Sequence, residues 1–203
     1  MKKQTRPAEP EVLQKNASKW NSAWTSLRAS NPSAKFNWYQ IDGRSAREWI
    51  LPALREMNQC HCSFCDAFPL EATTNEPIEH FKPKSDYRFY AEAYNWHNLF
   101  YSCDFCQRVK GEKWSDELIA PDTNEYSFHD YFMFDFTTGA ISPNPRALAD
   151  TQARAQTTIA IYGLDLDPRR RMRLTEARKW SKSIEHEIDS WAYRDFVNPQ
   201  GLT

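Results

Sequence analysis

No stretch of this sequence stays apolar for the roughly 18 residues that a spanning helix needs, which excludes a transmembrane segment of that kind. Met1-Lys2-Lys3 is followed by Gln4-Thr5-Arg6-Pro7 where a secretory signal would carry its apolar stretch. The chain is therefore expected in the cytoplasm, with its thiols reduced. Charge of either sign is not in excess: 26 Lys+Arg against 27 Asp+Glu leave a net of -1, which excludes a histone-like polybasic binder on average. Internal repeats and low-complexity tracts are absent as well, so a solenoid or a long disordered tail is not expected. Cysteine is scarce and odd in number. Five cysteines without a signal peptide speak against a disulfide framework, and their spacing speaks for metal.

What is present suffices for a packed fold. Hydrophobic residues make up 40% and charged residues 26% of 203 positions, which fits one ordinary domain with appendages. Charge alternates along the chain. Residues 1–59 carry ten basic and five acidic side chains, 116–167 carry two and nine, and 168–182 carry seven and one. The block Arg169-Arg170-Arg171-Met172-Arg173, with Arg178, Lys179 and Lys182, reads equally as a grip on phosphate or an acidic partner and as a solvated helix face.

Three segments follow. In 1–59, Leu13, Trp20, Trp24 and Leu27 lie at helical spacing, and Asn31-Pro32-Ser33 ends that helix. Ser45-Ala46-Arg47-Glu48 fits a capping box for a second helix with the stripe Trp49, Ile50, Leu54 and Met57, although Pro52 would force a kink or a later start. Residues 60–115 hold all five cysteines and suit short strands with a short helix. In 116–203, Tyr131–Phe136 with Thr138-Gly139 suggests a hairpin. A helix with Pro145 in its first turn closes at Gly163, and Asp167-Pro168 starts a last helix with Met172, Trp180, Ile184, Ile188 and Trp191 on one face. The eight tryptophans are expected mostly in the core.

Cys62-Ser-Phe-Cys65 and Cys103-Asp-Phe-Cys106 are two knuckles separated by 37 residues. Each lets two thiolates approach one ion with little strain, and together they complete a tetrahedral Zn²⁺ site. Buried, unligated thiols are the competing explanation, as is a thiol redox motif, and two paired knuckles fit zinc better than either. Cys60 is the spare; it and His61 could substitute as ligands and read as bystanders.

Between the knuckles lie Ile78-Glu79-His80-Phe81-Lys82-Pro83-Lys84 and Tyr94-Asn95-Trp96-His97-Asn98-Leu99. Here the sequence resembles the HNH endonucleases, whose ββα-metal core is often clasped by two such knuckles. Glu79-His80, Asn98-Leu99 and, nine residues on, position 107 fill the family's motif slots. Cys103-x-x-Cys106-x-x-x-Lys110-Gly111 and Thr158-Ile-Ala-Ile-Tyr-Gly-Leu-Asp165 are further similar to the PtuB-type effectors of Septu and retron anti-phage systems. The resemblance implies an α+β chain: a small ββα-metal core with a Cys₄ clasp over 60–115, an N-terminal helical arm over 1–59, and a mostly helical extension over 116–203.

It also implies chemistry. His80 would be the general base and Asn98 a structural brace. Glu79 and Gln107 would hold a catalytic Mg²⁺ or Mn²⁺, and Lys82, Lys84, Arg108 and Lys110 would face the phosphates. His97, His129 and His186 are left ordinary. The implied activity is phosphodiester hydrolysis of DNA, with RNA including transfer RNA also open. The implied partners are a PtuA-like ATPase and a retron reverse transcriptase with its DNA. Gln107 departs from the His or Asn of the family, and its longer side chain keeps a second reading alive: a catalytically inactive zinc module that binds nucleic acid or protein.

Overall fold

A computed structural model describes residues 1–70, 74, 77–184 and 187–199. Helix α1 (Glu11–Ser30) buries Leu13, Trp20 and Trp24 at the anticipated spacing, whereas Leu27 lies near its exposed end. A two-residue ribbon, β1 (Gln40–Ile41) with β2 (Arg44–Ser45), leads into α2 (Ala46–Met57). The Ser45–Glu48 capping box forms, so the helix starts where the sequence places it. Pro52 sits inside that helix, contrary to a delayed start. The buried stripe Ala46, Ile50, Leu54 and Met57 holds the helix on the core and outweighs the one backbone bond that proline forgoes. Trp49 points outward.

Next come β3 (Ile78–His80) and β4 (Leu99–Tyr101), an antiparallel pair with Glu79 opposite Phe100 and His80 opposite Leu99. Two 3₁₀ turns, Tyr87–Glu92 and Trp96–Asn98, fill the connection. Helix α3 (Asp104–Lys110) follows directly, and Gly111 ends it at φ 54°. The short α4 (Phe128–Tyr131) leads into the hairpin β5 (Phe132–Asp135) and β6 (Ala140–Pro143), as anticipated. Helix α5 (Ala149–Tyr162) begins four residues after Pro145, which lies in the preceding turn, and closes at a left-handed Gly163.

Helix α6 (Asp167–Trp180) carries its proline in the first turn, as expected, but its inner face is not the anticipated one. It ends at Trp180, Met172 is 47% and Ile184 is 99% exposed, and the residues it buries are Arg169 and Arg173. The tail then turns back through a 3₁₀ turn at Ile188–Ser190 to α7 (Arg194–Val197).

One hydrophobic core joins all three sequence segments, from Met1 through Phe64 and Phe100 to Leu164. The residues ahead of α1 are part of this packing. Arg6 donates to Asp122 and to the carbonyls of Trp96 and Leu99, and Gln4 donates to Ser63 O. Three small antiparallel pairs and seven helices make the described residues an α+β chain, and no helix among them is long and apolar enough to cross a membrane.

Candidate metal centre and adjoining cleft

The loop after α2 supplies Cys62 and Cys65, and the start of α3 supplies Cys103 and Cys106. All four are buried, and their sulfurs lie within 4.8 Å of one another. Cys62 Sγ stands 3.7 Å from Cys106 Sγ, and Cys65 Sγ stands 3.7 Å from Cys103 Sγ. Tetrahedral zinc with Zn–S near ~2.3 Å requires S···S near ~3.8 Å, so the cluster has the size of a metal-bound tetrathiolate. At about twice the length of a disulfide bond, the separations belong to thiols. Backbone N–H groups of Cys103 and Cys106 point at Cys62 Sγ and Cys103 Sγ, at 3.3 and 3.5 Å. The donor set and spacing fit a structural zinc ion.

His61 is not a ligand here. Its ring nitrogens meet the carbonyls of Gln59 and Trp191, and its ring stacks on Phe68. Cys60 stays outside the cluster of sulfurs.

Glu79, His80 and Gln107 come together along one cleft of about 140 Å³, with Lys84, Lys110 and Glu112. The His80 ring lies among Phe36 (5.0 Å between centroids), Trp38 (5.9 Å, stacked) and the carbonyl of Ala93. A carbonyl oxygen only accepts, so Nε2, 2.9 Å from Ala93 O, carries the ring proton. Burial, then the charge of Lys84, pushes the His80 pKa well below its ordinary range, and the bond to Ala93 opposes this only in part. The ring is therefore neutral with its lone pair on Nδ1, a buried atom with no hydrogen-bond partner among the described residues.

Asn98 spans the loop behind it. Its Oδ1 accepts from Lys82 N at 2.7 Å, and its Nδ2 donates to the carbonyls of Lys82 and Glu92. Those bonds fasten the chain two residues past His80.

The cationic side chains divide among different roles. Lys84 lines the cleft and lies over Phe36. Lys82 pairs with Glu92 at 2.8 Å. Arg108 projects from the opposite side of α3 into a separate cavity with Arg169, so it does not join the cleft. Lys110 is corrected most clearly: at 1% exposure it is not a surface phosphate contact. Its Nζ donates to Glu79 Oε1 at 2.7 Å and to His80 O at 2.9 Å, because a buried ammonium needs a counter-charge and acceptors close by. The arginine block divides: Arg169 and Arg173 are buried, whereas Arg171, Arg178, Lys179 and Lys182 remain on the exposed face of the helix and the turn after it. Arg169 meets Cys106, Arg173 donates to the carbonyls of Gly139 and Leu164, and Arg170 pairs with Asp165.

These placements bear on a catalytic divalent ion. The cleft offers hard oxygen donors in Glu79, Gln107 and Glu112, but Lys110 already neutralises Glu79. Burial raises the Glu79 pKa, with Lys110 opposing, and Gln107 Nε2 bonds Ser102 O at 3.0 Å. Among the described residues only the four cysteines form a ready ligand cluster. As arranged, the cleft does not fit a resident Mg²⁺ or Mn²⁺.

Phe36, Trp38 and Ala93 are neighbours that the sequence did not single out, and Arg169, which it read as part of the arginine block, lies at Cys106 instead. Only the aromatic run Phe36-Asn-Trp-Tyr39, just ahead of β1, signalled a wall for the site. His97 is an exposed residue of a 3₁₀ turn, His129 sits in α4, and His186 lies outside the described residues. The chain was compared with protein-family models and with curated proteins, and none of either matches it.

Proposed function

We propose that this protein is an HNH-type endonuclease that hydrolyses phosphodiester bonds of nucleic acid, DNA by default, on a ββα core formed by β3, β4 and α3. The observation that carries the reading is His80: a neutral imidazole, its Nε2–H anchored on Ala93 O and its buried Nδ1 unpartnered among the described residues, on a residue that lines the cleft with Lys84. A buried, oriented lone pair beside a cation suits proton removal from water attacking a phosphate. The zinc clasp fixes the first turn of α3 against the loop after α2, and Asn98 fixes the turn behind His80. The ring thus keeps its position while Lys84 offers charge to a phosphate oxygen.

The family resemblance implies a divalent ion at Glu79 and Gln107, and such an ion would have to displace Lys110 from Glu79. A PtuA-like ATPase, and a retron reverse transcriptase with its DNA, are the partners the same resemblance implies. The second reading, a zinc module that binds without cutting, is favoured by the same Glu79–Lys110 pair and by Gln107.

Zinc-loaded protein incubated with single- and double-stranded DNA and RNA, with Mg²⁺, with Mn²⁺ and with EDTA, separates the readings. Fragments in any arm support the nuclease, and cleavage that rises with added Mg²⁺ or Mn²⁺ above that of zinc-loaded protein without either ion shows that Lys110 gives way to an ion. Binding without fragments in every arm, with the partner complex present, supports the module.

A further inference from the structure

Arg169 sits in the first turn of α6, some sixty residues from the nearest cysteine knuckle in sequence, yet it is only 4% exposed and reaches the metal centre. Its Nη2 lies 3.0 Å from Cys106 Sγ, and its guanidinium lies over the Phe105 ring at 4.5 Å. The neighbouring arginines are occupied elsewhere: Arg173 on backbone carbonyls and Arg170 on Asp165. The Arg169 rotamer is therefore set by the sulfur and the ring, not by a carboxylate.

Four thiolates around Zn²⁺ carry a net charge of minus two, and holding that charge in a buried site is unfavourable without a counter-ion. We infer that Arg169 is an outer-sphere partner of the zinc centre, a positioning residue that offsets its charge, orients Cys106 and fastens α6 to the metal. This rests on the cysteine cluster holding a metal. An N–H···S bond from a cation draws density from the sulfur, and the outer partners of metal ligands commonly govern metal affinity about 10–100-fold. The same bond joins the extension to the knuckles, so metal loading and docking of α6 are coupled through one side chain.

Co²⁺ is the probe, because its thiolate charge-transfer bands report the electron density on sulfur. Full-length wild type, Arg169→Met, Arg169→Lys and the control Arg170→Met are loaded with Co²⁺ and with Zn²⁺ and titrated with a chelator. The expected result is a shifted charge-transfer band and metal affinity about 10–100-fold weaker in Arg169→Met. Arg169→Lys should regain part of both, and Arg170→Met should match wild type. A wild-type spectrum and affinity in Arg169→Met overturns the inference while leaving the metal site intact. Failure of the wild type to bind either ion overturns the metal site itself. Should Arg169→Met not fold, Arg169→Lys decides: an unchanged band overturns the inference, and a shifted band with weakened affinity supports it.

Discussion

His80 owes its state to three neighbours that do no chemistry themselves. Phe36 and Trp38 pack against the ring and help to desolvate it, and Ala93 O claims the Nε2 proton. Because the folded pKa lies well below the unfolded value of about 6.5, the unfolded chain takes up a proton that the folded ring refuses. Stability attributable to His80 is therefore intact above that value and falls as pH drops through it, by at most about 1.4 kcal/mol per pH unit. Urea midpoints of wild type and His80→Gln between pH 7 and 5 check this, since the variant should lack that part of the slope. The same depression places the acid limb of any His80-dependent cleavage below pH ~6.5. Lys110→Met would strand Glu79 as an unpaired buried carboxylate and cost about 3–5 kcal/mol, whereas adding Glu79→Gln should recover most of that loss. Chemical denaturation of the single and double variants measures both. The convergence of Glu79, His80 and Gln107 was legible because motif spacing survives folding. The fate of Lys110 was not, since a basic residue at a helix end reads as surface until its burial is seen.

Helix α3 is held from three sides, and each hold is a long-range contact. The cysteines fix its start, the Lys110–Glu79 pair fixes its end to β3, and Val109 packs against the turn after α5. Gly163 occupies that turn at φ 59°, where an added Cβ would lie 2.8 Å from Val109 Cγ1 and from Leu166 Cδ1. Gly163→Ala should therefore destabilise the fold by more than about 1 kcal/mol, read as a lower urea midpoint. Helix α7 provides a further tie. Arg194, 1% exposed, donates to Asp66 at 2.7 Å, to Asn58 at 2.8 Å and to Gln59, binding the tail to the loop that carries Cys62 and Cys65. Arg194→Met leaves Asp66 buried without its partner and should cost about 3–5 kcal/mol. Capping box, proline start and glycine stop were all readable, because they are local rules. The inner face of α6 was not: its two buried arginines pack through long stems and spend their charge on sulfur and carbonyls, which a hydrophobic stripe does not anticipate.

At the scale of the molecule, the cysteine cluster joins the loop after α2, helix α3 and, through Arg169, α6, so removing a zinc ion held there should reach far beyond the knuckles. Strong chelation, or Cys106→Ser, is expected to remove on the order of 10 kcal/mol of apparent binding energy from folding, seen as loss of bound zinc with loss of the cooperative thermal transition. The near-neutral total charge conceals how cations are used. Of the basic residues named for phosphate, Lys110 is interior, Lys82 is paired and Arg108 faces another cavity, which leaves Lys84 at the cleft. In the proposed function His80 is the base of a hydrolytic site. Its most direct test is the single-turnover cleavage rate of zinc-loaded wild type against His80→Ala on the nucleic acid the wild type cuts fastest. His80→Ala should lose about 10²–10⁴-fold in rate, with zinc content and circular dichroism unchanged. Equal rates, or no cleavage by either protein with its partner complex present, would contradict it.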